Sequence, residues 1–171
     1  MTRWFTSMTV AMALACFPLA HADGTPDYLS HHETTPQDQA AIRQLLANYT
    51  GAVNSGNQAA FEALLLSDEV PFSSTSELSL SRAEARQVVT YNYAGFRKIV
   101  FQSGLHFAQK FYNVHIEQDG PLAQVSLDFV TADAATGSGG YGFKTLQLLK
   151  VNGSWKIASE FYTAHSLPKK S

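Results

Sequence analysis

The sequence predicts an α+β fold in which helices come first and an antiparallel meander follows. Apolar residues recur at three- and four-residue steps up to about residue 98, then alternate with polar ones from about residue 105 onward. Turn signals at Asp119-Gly120-Pro121 and Asn152-Gly153 fall between alternating runs, where hairpins need them. The order of the two periodicities, helical before alternating, is the α+β pattern. A chain of 171 residues, 45% hydrophobic, is long enough to bury one real core. Its net charge of −2 gives no electrostatic basis for binding nucleic acid.

The first 22 residues read as a separate object. Arg3 is a short positive region, Phe5 to Ala15 is mostly apolar, and Ala20-His21-Ala22 is a small-x-small site before Asp23. That is the grammar of a secretory signal peptide, and it predicts cleavage after Ala22 and a periplasmic or secreted domain. The single cysteine, Cys16, lies inside this segment, so the mature domain would have neither disulfide nor thiol nucleophile. Ala13-Leu14-Ala15-Cys16 loosely resembles a lipoprotein box, which keeps lipid attachment through Cys16 as an alternative. No later run approaches the ~18 apolar residues of a membrane span, so no transmembrane segment is expected after cleavage.

Residues 23–34 have no hydrophobic period and read as a flexible leader. His31-His32 has no carboxylate at ligand spacing, and no metal or cofactor is assigned. A single domain then spans residues 35–167. Thr35-Pro36-Gln37-Asp38 is a helix start, with a capping Thr, Pro at the first position and an acid in the first turn. Ile42, Leu45, Leu46, Tyr49 and Val53 mark its buried face, and Asn54-Ser55-Gly56 ends it. Asn57 caps a shorter helix carrying Phe61, Leu64 and Leu65, and Val70-Pro71-Phe72-Ser73 is extended. Ser81 to Glu84 forms a capping box for a third helix running to about Lys98, with Val89, Tyr93 and Phe96 on one side. Four β segments follow, Leu105 to Glu117, Leu122 to Thr131, Tyr141 to Val151 and Trp155 to His165, with a flexible loop at 136–140. Residues 168–171 are a solvated tail.

Alternation assigns the faces. Val125, Leu127 and Phe129 point one way, with Gln124, Ser126 and Asp128 opposite. In the last segment, uninterrupted alternation puts Trp155, Ile157, Ser159, Phe161, Thr163 and His165 on one face. Three helices over a strongly curved sheet would bury the apolar face and leave a pocket at the open end.

Two stretches carry a family resemblance. Tyr49-x-x-Ala52-x-Asn54-x-Gly56-Asn57, with Phe61 and Leu65 after it, resembles the first two helices of the nuclear transport factor 2-like (cone-fold, SnoaL/ketosteroid-isomerase-like) superfamily. Leu149-Lys150-Val151-Asn152-Gly153-x-Trp155-Lys156-Ile157 is similar to its closing hairpin. The resemblance implies a cone of three helices packed on a curved antiparallel sheet. It also implies site positions. Tyr49 stands where isomerase-like members have an oxyanion donor. Ser73 stands where they have the general base, and a neutral hydroxyl cannot abstract a proton from carbon unaided. Gln147 stands where they have a second, protonated acid.

These residues favour binding over catalysis. A small apolar ligand would be oriented by Tyr49, Gln147 and Ser159 between walls of Phe72, Phe129, Phe143 and Phe161, in a mostly apolar pocket. An alternative is a lyase, isomerase or cyclase using a His–Tyr pair, with His106, His115 or His165 as base. A third is an interaction module or homodimer formed through the outer sheet face, where Tyr112, Val114, Ile116, Leu146 and Leu148 would supply an apolar patch.

Overall fold

The computed structural model describes residues 32–74 and 92–168. The predicted signal peptide, the leader up to His31, the capping box Ser81 to Glu84 with Val89, and the tail from Lys169 lie outside these residues.

The first helix, α1 (Pro36–Ser55), begins as its sequence dictates: Thr35 is extended and its Oγ1 accepts from the Asp38 N–H at 3.1 Å. It ends at Gly56, whose φ of 65° places it in the left-handed region. The stripe Ile42, Leu45, Leu46, Tyr49 and Val53 is buried, as its spacing predicts. Asn57 caps α2 (Gln58–Glu62) by accepting from the Ala60 N–H at 3.0 Å. The strand β1 (Phe72–Ser74) follows, and Asn92 caps α3 (Tyr93–Val100). Phe61 is wholly buried and gathers Tyr49, Tyr93 and Phe96 around it at ring-centroid distances of 4.7, 5.6 and 5.1 Å. Such aromatic packing ties all three helices to one centre.

Five further strands complete the sheet: β2 (Phe107–Asp119), β3 (Leu122–Asp133), β4 (Gly139–Val151), β5 (Ser154–Tyr162) and β6 (His165–Ser166). The order is β1-β5-β4-β3-β2, with β6 paired to the start of β4. The long strands are antiparallel, whereas β1 runs parallel to β5, which makes the sheet mixed. Asn152 and Gly153 both have positive φ (50° and 79°), the signature of a tight hairpin turn. The expected loop at 136–140 is shorter than its composition suggests, because Gly139 and Gly140 already pair with β3. Glycine is needed where β4 meets the chain after β5: a Cβ on Gly142 would lie 2.0 Å from the Thr163 carbonyl oxygen.

Two bulges change which side chains face the core. On β2, Asn113 has a φ of 50° and the pairing shifts between Tyr112 and His115. On β5, Gln147 pairs with Ser159 but Leu148 pairs with Ile157, so Ala158 is the extra residue. An extra residue inverts the alternation beyond it. Trp155 and Ile157 face inward as expected, but after Ala158 the buried residue is Glu160, while Phe161 is 47% exposed. The single uninterrupted face from Trp155 to His165 is therefore corrected. So is the outer apolar patch. Leu146 and Leu148 are wholly buried, Val114 and Ile116 pack against the core, and of the five only Tyr112 is exposed.

Candidate functional site

The open end of the cone holds a cavity of about 270 Å3. Its walls include Val53 of α1, Phe72 of β1, Phe96 of α3, Phe107 of β2, Phe129 of β3 and Tyr162 of β5. The volume lies just below the ~300–1,000 Å3 typical of small-molecule pockets, and the apolar lining is equally typical. Ile99, more than half exposed, stands at the rim.

Lys144 reaches this cavity from β4 and is almost wholly buried. Its Nζ lies 2.6 Å from Oε1 of Glu160, on β5, and donates to the Tyr49 hydroxyl at 2.8 Å. The Tyr49 hydroxyl in turn donates to Glu160 Oε1 at 3.1 Å, which closes a three-membered cluster. Each member has a local cause. Lys144 shares its face with Leu146 and Leu148, Glu160 is turned inward by the bulge at Ala158, and Tyr49 sits one turn beyond Leu45 on the buried stripe of α1. Rings enclose the amine: Tyr49, Phe111, Phe129 and Tyr162 have centroids 4.7–5.5 Å from Nζ.

The electrostatics follow from burial. Loss of water pushes the Lys144 ammonium below its ordinary value, and the Glu160 carboxylate opposes that shift. Burial and the same carboxylate push the Tyr49 phenol well up, so it stays a hydrogen-bond donor. Glu160 Oε2 is buried without a hydrogen-bond partner among the described residues. Gln109, also on the cavity wall, is held by Asn54, which accepts from its backbone N–H at 2.6 Å. The Gln109 Nε2 donates to Thr131 Oγ1 at 2.7 Å, while its Oε1 is buried with no partner among the described residues. The cavity therefore has mostly apolar walls, with the side chains of Lys144 and Gln109 among its lining. Among the described residues no group of His, Cys, Asp and Glu could hold a metal.

The residues expected at the site divide into two sets. Tyr49 belongs to the inner cluster, and Phe72 and Phe129 line the cavity. Phe143 is 48% exposed on the other face of the sheet, beside an open groove lined by Tyr112, Tyr141 and His165. Gln147 is on that outer face too and donates to Gln124 at 3.1 Å, with half-buried Ser159 opposite it across the strands. The orienting role expected of Gln147 and Ser159 is thus corrected by strand parity, as are the walls of Phe143 and Phe161. Ser73 is half-buried between buried Phe72 and Ser74 on β1. His106, His115 and His165 are all exposed, so the His–Tyr pair has no histidine to supply it.

Lys144 and Glu160 are the residues that the sequence reading missed. Lys144 left one signal, a charge in phase with Leu146 and Leu148. Glu160 left none, because a bulge has no alternation to read.

A second lysine–carboxylate pair lies near the other end of α1. Lys150 Nζ is 2.6 Å from Asp38 Oδ1, and Trp155 Nε1 donates to the same oxygen at 3.0 Å. Gln118 Nε2 donates to Asp38 Oδ2 at 2.9 Å and the Thr35 hydroxyl to the same atom at 3.2 Å. Lys150 first, then Gln118 and Trp155, hold the Asp38 carboxyl well below the usual carboxylate range. This cluster ties the start of α1 to the β4–β5 hairpin.

Residues 42–163 match the SnoaL-like domain family. No curated protein matches the sequence. Among solved structures, a nuclear transport factor 2-like protein of unknown function from Pseudomonas putida KT2440 superposes with a TM-score of 0.61 at 13% identity, covering 78% of this chain and 90% of that one. A candidate scytalone dehydratase from Novosphingobium aromaticivorans gives 0.60 at 13%, covering 79% and 89%. A candidate aromatic ring hydroxylase from the same organism gives 0.60 at 17%, covering 80% and 94%. At these identities the likeness establishes the cone fold.

Proposed function

Because the chain belongs to the SnoaL-like domain family, we propose that it holds a small apolar molecule in the cone cavity, with a polar group of that molecule facing Lys144. One observation carries this reading: an apolar cavity of about 270 Å3 has a buried lysine, Lys144, in its lining. Apolar walls supply affinity without direction, and the few polar groups fix orientation. In this reading the domain works after export, as the signal-peptide grammar of residues 1–22 suggests.

Native mass spectrometry of the mature protein, taken from its own secretory compartment, tests the reading. A small mass released on denaturation, and lost when Val53→Trp fills the cavity, is the expected result. A clean protein mass, with no uptake of small aromatic compounds added at millimolar concentration, would overturn it. Edman sequencing of the same sample checks the start at Asp23.

A second reading has its own observation. Tyr112, Tyr141, Phe143 and Phe161 are exposed on the outer side of the sheet, and aromatics are enriched where proteins meet. We propose a homodimer through this surface. Sedimentation equilibrium checks it, with Phe143→Ser expected to shift a dimer toward monomer.

A further inference from the structure

The only strong nucleophile that the described residues bring to the cavity is the Lys144 amine, and its surroundings favour one chemistry. The cost of burying an ammonium is large, and an ion pair seldom gives more stability than apolar residues of the same volume. The pair is thus weakly explained by stability alone. Imine formation needs an amine that can give up its proton, groups that move protons on and off oxygen, and a place from which water is excluded. Nζ lies 2.6 Å from a carboxylate, 2.8 Å from a phenol and within 5.5 Å of four ring centroids, on a residue that lines the cavity. All three needs are met at one atom.

We propose that Lys144 captures an apolar aldehyde or ketone bound in the cavity as a protonated imine. The proposal rests on the pocket reading above and names the ligand class. The ammonium passes a proton to Glu160 Oε1, which leaves a neutral amine. The nitrogen lone pair attacks the carbonyl carbon and a C–N bond forms. Tyr49, bonded to Nζ, relays a proton from nitrogen to the new alkoxide, giving a carbinolamine. Glu160 returns its proton to that hydroxyl as the C–O bond breaks, so water leaves and a cationic imine stays beside a carboxylate. Net, an ammonium and a carbonyl compound become an iminium and water, with no redox partner. Burial, which lowers the Lys144 ammonium from its ordinary value, aids the first step.

Benzaldehyde with cyanoborohydride, followed by peptide mapping, reads the step directly. In parallel, binding of benzyl alcohol, which has the same ring but no electrophile, reads occupancy of the cavity alone. The expected result is a benzyl group on Lys144 at least about tenfold faster than on exposed Lys98 and Lys110. Glu160→Gln should slow trapping at Lys144 while benzyl alcohol still binds, and Lys144→Met should abolish it, with circular dichroism confirming that each variant folds. Benzyl alcohol bound in the cavity while label collects on Lys98 and Lys110 would overturn the imine and leave the pocket reading standing. Neither binding nor label at Lys144 would overturn both. The mapping on the unmodified chain decides the matter even where a variant fails to fold.

Discussion

Two lysine–carboxylate pairs of the same length, 2.6 Å, serve opposite ends of this domain, and their surroundings differ. Asp38 receives donors from Thr35, Gln118, Lys150 and Trp155, and the Lys150 side chain is 31% exposed. Among the described residues Glu160 has donors on one oxygen only and its other oxygen is unpartnered, and the Lys144 side chain is 2% exposed. In the first, both oxygens of the carboxylate are satisfied, and it clasps helix to hairpin. The second is an under-satisfied pair beside a cavity. A polar group buried without its full set of partners costs free energy. Structure alone therefore explains Asp38 well and Glu160 poorly, and the contrast points to Lys144 and Glu160 as the site.

Removing one partner at a time separates the two pairs. Glu160→Leu leaves an uncompensated cation among rings and should cost about 3–5 kcal/mol of stability, read from urea unfolding. Trp155→Phe removes a donor to a charged carboxylate and should cost about 1.5–3 kcal/mol by the same measurement. The double change Lys144→Met with Glu160→Leu should regain most of the single-variant loss, since well-packed apolar residues often replace a buried pair without penalty. If the double variant is as unstable as Glu160→Leu alone, the pair is a structural necessity and the contrast with Asp38 fails.

Acid acts on the Asp38 pair. The folded value of Asp38 is depressed, so its contribution is present above the unfolded carboxylate value of about 3.9 and is lost as pH falls toward the folded value. The urea midpoint should fall on acidification below about pH 5, and Asp38→Asn should flatten that fall. The smallest effect belongs to the outer face. Phe143→Ala should leave cavity binding unchanged, as a titration with benzyl alcohol would register.

Most of the fold was legible because its signals are local. Thr35, Gly56, Asn57, Asn152 and Gly153 each act within a few residues, and each stands where the sequence placed it. The faces of β3 were legible because that strand keeps its alternation from Leu122 to Phe129. The site was legible only in part. Tyr49, Phe72 and Phe129 sit on unbroken periods, whereas Ser159 and Phe161 lie beyond the bulge at Ala158, which inverts the face. Phe143 and Gln147 were misplaced for another reason. Both faces of β4 carry apolar residues, and an inward lysine between glycine and leucine looks like a surface residue until its partner is known.

The most direct test is a methyl-resolved NMR titration of the mature domain with benzyl alcohol. The expected result is shift changes at Val53, Ile99 and Val100, which line the cavity, with Ile42 and Val130 unmoved. Changes confined to Val130, on the outer groove, or no changes at any methyl, would contradict a cavity site built on Lys144 and Glu160.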